Sequence, residues 1–210
     1  MTPPVFRLTA DGWTEGAEKR PSAHFNERPE GTLVSLAVLH FISLPPGVFS
    51  GEDVDALFTG TLDCSRHPFY RDLEGVRVSS HYVIRRTGLV RQYVSVVDRA
   101  WHAGVSVFEG RSGCNDFSVG IELEGTGEVP FEAAQYASLA ALLRELCRVL
   151  PIEAVTGHEF IAPGRKSDPG PCFDWDAVRR AVPAGVRVVT VPQTETAGVS
   201  ILRGGSDPGR

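Results

Sequence analysis

The sequence predicts an α/β domain. Three observations point to it: short apolar runs rich in β-branched residues, a hairpin signal in mid-chain, and a long segment whose leucines recur every three or four residues. The first run, LVSLAVLH (33–40), suits a buried strand ending at His40. After a Pro/Gly loop, EDVDALFTG has an acidic start, an apolar middle and a trailing Gly60, which predict a short helix. VSSHYVIRR and LVRQYV are rich in Val, Ile and Tyr and read as a hairpin joined through the two residues Thr87-Gly88. An irregular stretch runs from Trp101 to Asp116, and FSVGIEL (117–123) then reads as a strand holding Glu122. In FEAAQYASLAALLRELCRVL, Leu139, Leu143, Leu146 and Leu150 form one apolar helical stripe, which Pro151 ends. A short strand leads to His158, followed by the loop IAPGRKSDPGPC and a helix DWDAVRRAV with Asp174 as N-cap. The stretch to about Gly31 is expected to be irregular. The domain is expected to span 1–182, with 183–210 a mobile tail.

A chain of 210 residues with 42% hydrophobic and 22% charged residues has the makings of one ordinary globular core. The net charge of −5, without a basic block, argues against a nucleic-acid or anionic-membrane surface. No segment reaches membrane-spanning length, so no membrane insertion is expected. The opening MTPPVFRLTADGWTEG lacks a cationic start and an apolar core, so no secretory signal is expected and the location is read as cytoplasmic. Cys64, Cys114, Cys147 and Cys172 are scattered without a C-x-x-C pair, which suits reduced thiols. No obligate protein partner is evident.

The chemistry turns on polar residues placed where apolar ones would be expected. His40 and His158 both stand just past apolar runs, and a sheet could bring those strand ends to one rim. A lone histidine at a strand end is more often a packing residue than a ligand. The loop after His158 adds Lys166 and Asp168 within GRKSDPGP, and a carboxylate completing two imidazoles is a common catalytic zinc set that leaves a position for water. An acidic residue in a Gly/Pro loop is otherwise usually a turn former. Alternation puts Glu122 on the side opposite Val119, Ile121 and Leu123, which suits a solvated carboxylate as well as a functional one.

Seven segments carry a resemblance: VLHFISLPPG, LFTGTLD, RVSSHYVIRR, QYVSVVDRAWHAGVS, CNDFSVGIELEGT, TGHEFIAP and RKSDPGPCFDW. In this order they resemble successive blocks of the AmpD family, the cytosolic 1,6-anhydro-N-acetylmuramyl-L-alanine amidases within the type 2 N-acetylmuramoyl-L-alanine amidases. The likeness runs from about Trp13 to Val182. It implies a mixed central β-sheet flanked by helices, the fold shared with peptidoglycan recognition proteins. It implies Zn2+ held by His40, His158 and Asp168, with Glu122 and Lys166 as the catalytic acid–base residue and oxyanion-stabilising cation. It places Arg77 against the diaminopimelate part of the substrate and Trp101, with His102 beside it, along the groove. Arg111 is a further candidate contact, whereas His24, His67 and His81 are taken as structural or surface residues.

The activity implied is hydrolysis of the lactyl–L-Ala amide of an anhydro-muropeptide in cell-wall recycling. Two positions depart from the family pattern: Phe41 stands where Asn is common, and Gly113 where a second Arg is frequent. Both bear on peptide affinity and on the preference for anhydro over ordinary muramic acid. A binding-only peptidoglycan recognition module is disfavoured because all three metal ligands are present. An exported or phage-type amidase acting on intact murein would share the mechanism and differ in location and substrate size.

Overall fold

A computed structural model of the chain describes residues 4–193. The N-terminal region contains β1 (Arg7–Leu8), β2 (Thr14–Glu15), β3 (Glu18–Lys19) and β4 (Phe25–Asn26), followed by β5 (Leu36–Ile42) and α1 (Asp53–Thr59). Next come β6 (Tyr82–Ile84), β7 (Val90–Gln92), β8 (Arg99–Ala100), β9 (Val107–Phe108), β10 (Arg111–Ser112) and β11 (Ser118–Glu124). The chain continues through α2 (Ala133–Val149), β12 (Ala154–Gly157), α3 (His158–Ile161), α4 (Trp175–Ala181) and β13 (Arg187–Val189). Short 3₁₀ turns occupy Pro68–Leu73 and Cys114–Asp116.

Seven strands form the main sheet in the order β13-β12-β5-β11-β6-β7-β3. Neighbours run parallel except at the β6–β7 hairpin, so the sheet is mixed, as the resemblance implied. Its central strands are buried along their length, which is why they read as near-continuous apolar runs. Ala37, Leu39, Val119, Ile121, Leu123 and Val155 turn to one face and pack against Leu139, Leu142, Leu143 and Leu146 of α2 and Val178 of α4. On the opposite face lie two smaller apolar clusters, one around α1 and Tyr93 and one around Phe108 and Phe117. The functional groups described below share that second face.

Several local expectations change. The N-terminal stretch is not irregular: β3 pairs with β7 at the sheet edge, and β1–β2 and β4–β8 form small ladders. The hairpin loop holds three residues, Arg86-Thr87-Gly88, because Arg85 N–H donates to the Leu89 carbonyl at 2.8 Å. Gly88 has φ 85°, the left-handed position that ends a three-residue hairpin loop. Strand β5 continues past His40 to Ile42, since β11 pairs with it along its full length. The tail expected from 183 onward begins too early. Arg187–Val189 pairs with β12, and the Thr156 hydroxyl donates to the Val189 carbonyl at 2.8 Å. Residues 194–210 of that expected tail lie outside the described residues. Asp174 caps α4 as expected, its carboxylate accepting from Ala177 N–H at 2.9 Å. The four cysteines are unpaired.

Leu143→Ala removes a side chain with no solvent exposure from the α2–sheet contact and should lower the unfolding free energy by about 2–5 kcal/mol. Urea denaturation checks this, and the half-buried Leu150→Ala should cost clearly less.

Candidate active site and metal centre

The register of the central strands assembles the site. Glu122 on β11 pairs with His40 on β5, and Gly157 on β12 pairs with Leu39, so the next residue, His158, stands level with His40. Residues paired across parallel strands project to the same face. The His40 and His158 rings lie 4.6 Å apart between centroids. Gly157 is required where the strand gives way to α3: a Cβ there would stand 2.8 Å from the Pro169 ring. That close approach lets the loop after α3 fold back and deliver Asp168.

Asp168 Oδ2 lies 2.9 Å from His40 Nδ1 and 3.1 Å from His158 Nδ1. The three donor atoms fall within 4.8 Å of one another. His158 Nε2 faces the Ala103 carbonyl at 3.0 Å, and a carbonyl only accepts, so Nε2 carries the proton and Nδ1 turns its lone pair toward Asp168. A lone pair facing a carboxylate oxygen at that distance calls for a positive charge between them, either a proton or a metal ion. Two imidazoles and one carboxylate match the donor set of a catalytic zinc site.

The surroundings push the two acidic groups in opposite directions. Burial alone would raise the pKa of Asp168, but the His158 and His40 rings set against its carboxylate hold it well below the usual carboxylate range. Glu122 is shifted the other way. Burial, reinforced by the Asp168 charge and only partly opposed by Lys166, pushes it well above its ordinary value. Its carboxyl sits 4.0 Å from His40 Nδ1 and, among the described residues, receives no protein hydrogen bond. His40 is lowered to about 4 by burial and by the neighbouring His158. Burial, with His40 and His81 close by, likewise lowers His102 well below its ordinary value.

These groups open into a cavity of about 260 Å³ whose wall includes Phe41, Phe58, Trp101, Glu122 and Lys166. A second cavity shares Val78, Trp101, His102, His158 and Lys166 with it and adds Arg77 and Arg165. A third shares Leu57 with the first and Arg77 with the second. Together they make one groove, with Arg77 at a junction. Lys166 is exposed on the loop that carries Asp168. Trp101 is held upright by donation from its Nε1 to Asn26 Oδ1 at 2.6 Å and by stacking on His24 at 6.3 Å. Arg111 lines none of these cavities. The β9–β10 hairpin carries its guanidinium 3.8 Å over the Phe117 ring, where the ring's quadrupole holds it.

A model of the N-acetylmuramoyl-L-alanine amidase family matches residues 15–171, a span holding every site residue named above. The chain belongs to the N-acetylmuramoyl-L-alanine amidase family. Within it the likeness is to AmpD: the 1,6-anhydro-N-acetylmuramyl-L-alanine amidase AmpD of Escherichia coli (strain K12) is 52% identical over 82% of this chain and 95% of its own length. A crystal structure of a selenomethionine AmpD derivative superposes with a TM-score of 0.82 at 50% identity, covering 84% of this chain and 99% of that one. A more distant relative in this fold is the E. coli amidase AmiD, solved in complex with the substrate anhydro-N-acetylmuramic acid-L-Ala-D-γ-Glu-L-Lys. It has a TM-score of 0.53 and 25% identity, and covers 84% of this chain and 66% of that one.

Within this amidase chain, several groups that shape the site gave no signal in the sequence. His24 and Asn26 support Trp101 from a stretch read as irregular. His81 accepts from the Gly120 N–H at 3.0 Å beneath the site. Asp55 anchors α1, which carries Leu57 and Phe58 into the groove wall; it accepts from the Tyr93 hydroxyl at 2.6 Å and from Arg85 at 3.2 Å. None of these could be paired from a single sequence, because partners are 30 to 38 positions apart in the Asp55 cluster and have no shared period. The departures from the family pattern also find places. Phe41 lines the first cavity, and Gly113 adopts φ 73° ahead of the Cys114–Asp116 turn, a conformation that an arginine would strain.

Burial, reinforced by the Arg28 charge, lowers His81 to about 3 from an ordinary 6.5. The folded chain therefore stays unprotonated there between those values while the unfolded chain takes up a proton. Stability should fall on acidification by up to about 1.4 kcal/mol per pH unit for this side chain. His81→Asn keeps an acceptor for Gly120 and removes the titration. Urea unfolding at stepped pH should show a shallower slope below 6.5 for this variant.

Proposed function

We propose that this chain is a zinc-dependent amidase that hydrolyses the lactyl–L-Ala bond between 1,6-anhydro-N-acetylmuramic acid and the stem peptide of recycled cell-wall fragments in the cytoplasm. The observation that carries the reading is the convergence of His40, His158 and Asp168 beside a buried Glu122 of raised pKa at the floor of a groove. Support for the substrate comes from the AmpD relative, named for this anhydro-muramyl amide, and from the AmiD relative solved with an anhydro-muropeptide. No helix among the described residues is long and apolar enough to cross a membrane.

When bound by the triad, zinc supplies a Lewis acid that makes water nucleophilic near neutral pH. Glu122 takes the proton of the attacking water and returns it to the leaving nitrogen, which must be protonated for the amide to break. Its raised pKa brings it nearer to neutrality, where a proton can be both accepted and given up. Lys166, on the groove wall beside Glu122, faces the negative charge that grows on the carbonyl oxygen in the tetrahedral state. Trp101 offers a fixed aromatic face to the sugar or peptide. Arg77, exposed at the junction of two cavities, presents a guanidinium to a peptide carboxylate.

Glu122→Ala should lower kcat by about 10²–10⁴-fold and Lys166→Ala by about 10²–10³-fold, each with one zinc per chain retained by elemental analysis. A fully active variant of either removes the assigned role, and absence of stoichiometric metal from active wild-type protein overturns the zinc mechanism. Incubation with purified anhydro-muropeptide and, separately, with whole sacculi should show release of free peptide from the former only. Arg77→Ala should raise KM for a tripeptide-bearing substrate more than for one trimmed to L-Ala, and equal effects would count against the carboxylate contact.

A further inference from the structure

His40 can offer Nδ1 to a metal only if its own proton sits on Nε2, and a chain of hydrogen bonds on the far side of the ring decides where that proton is. The chain starts at a backbone carbonyl, which has no choice of role. Ser118 Oγ donates to the Cys114 carbonyl at 2.6 Å. With its proton so engaged, the hydroxyl can only accept from the next group, His102 Nε2 at 3.2 Å. An imidazole that donates from Nε2 and is neutral has a bare Nδ1, and His102 Nδ1 lies 3.0 Å from His40 Nε2. His40 must then donate from Nε2, which leaves its Nδ1 lone pair directed at Asp168.

Two further features hold this chain in place. Gly120 gives the His102 ring room to lie on the sheet, since a Cβ at that position would stand 2.5 Å from the ring's Cγ. Asn115 Oδ1 accepts from the backbone N–H of both His102, at 3.1 Å, and Ala103, at 2.8 Å. The Ala103 carbonyl is the group that receives the Nε2 proton of His158. One amide side chain thus fixes the supports of both imidazoles of the triad.

We propose that His102, polarised by Ser118 and held with Ala103 by Asn115, is a positioning residue that sets the Nε2–H tautomer of His40 and thereby the metal affinity of the site. The inference rests on the zinc reading above and deepens it. Partners of this kind orient ligating histidines, and their loss typically weakens metal binding about 10–100-fold. The mutation that removes the acceptor is His102→Leu. The rescue is His102→Asn, whose amide oxygen can occupy the position of the imidazole Nδ1.

The test has two arms. Zinc dissociation constants from chelator competition should be about 10–100-fold weaker for His102→Leu than for the wild type, with His102→Asn recovering most of the loss. A His102→Leu protein that binds zinc within about twofold of wild type, or an Asn variant no better than Leu, overturns the proposal. The second arm needs no variant: ¹⁵N NMR of the zinc-free native protein near neutral pH should show His102 and His40 both protonated on Nε2. A proton on His102 Nδ1 overturns the proposal even if the Leu variant fails to fold. Failure of the wild type itself to bind zinc would sink the metal reading instead, so the two outcomes are distinguishable.

Discussion

The site depends on one constraint, the in-register parallel pairing of β5 with β11 on one side and β12 on the other. That pairing places Glu122 and His40 side by side on adjacent strands and His158 level with them, just past the end of β12. A slip of one residue in any of them would turn its functional side chain to the opposite face of the sheet. What pins the register is the reverse face, where Leu39, Ile121 and Leu123 are sealed against α2. Core and site are thus two sides of one set of strands, and packing on one side sets distances on the other.

A second layer of organisation is electrostatic. Asp168 and Glu122 are carboxylic acids in the same small volume, and their environments push them in opposite directions. The first favours its ionised form and suits a cation, while the second takes up a proton more readily than an ordinary carboxylate; such a division is how neighbouring acids take different parts in one reaction. The groove wall is set by charge as well. Asp55 of α1 is buried against Arg85, Arg91 and Tyr93, and a buried ionic cluster of this kind tolerates removal of a member poorly. Leu57 and Phe58 hold their places in the wall because the helix behind them is anchored there.

Much of the fold was legible in the sequence because the central strands and α2 announce themselves through apolar periodicity, and α4 through its aspartate cap. The cluster of His40, His158 and Asp168 was legible in outline: two histidines after apolar runs and an aspartate in a rigid loop. The joint metal-binding role proposed for them rests on the family likeness, since spacing alone favoured packing histidines and a turn-forming acid. The short ladders β1–β2 and β4–β8 were not legible, because two-residue strands carry no periodicity. The same holds for the hydrogen-bond chain through His102 and Ser118. Its members are 16 positions apart and are joined only by the curl of the chain between β8 and β11. The position of Arg111 was not legible either: the fold sets its guanidinium over the Phe117 ring, outside the cavities described above.

The strand formed by Arg187–Val189 has a consequence for where this protein can be cut. The family likeness ends before it, which invites trimming the chain near Val182. Such a cut would strip the neighbour from β12, the strand that leads into His158, and leave a row of open backbone donors and acceptors along the sheet margin. An exposed margin of that kind recruits strands from other molecules. The first symptom of an over-shortened protein would therefore be self-association and precipitation, with the side chains of the groove intact but hidden inside the aggregate.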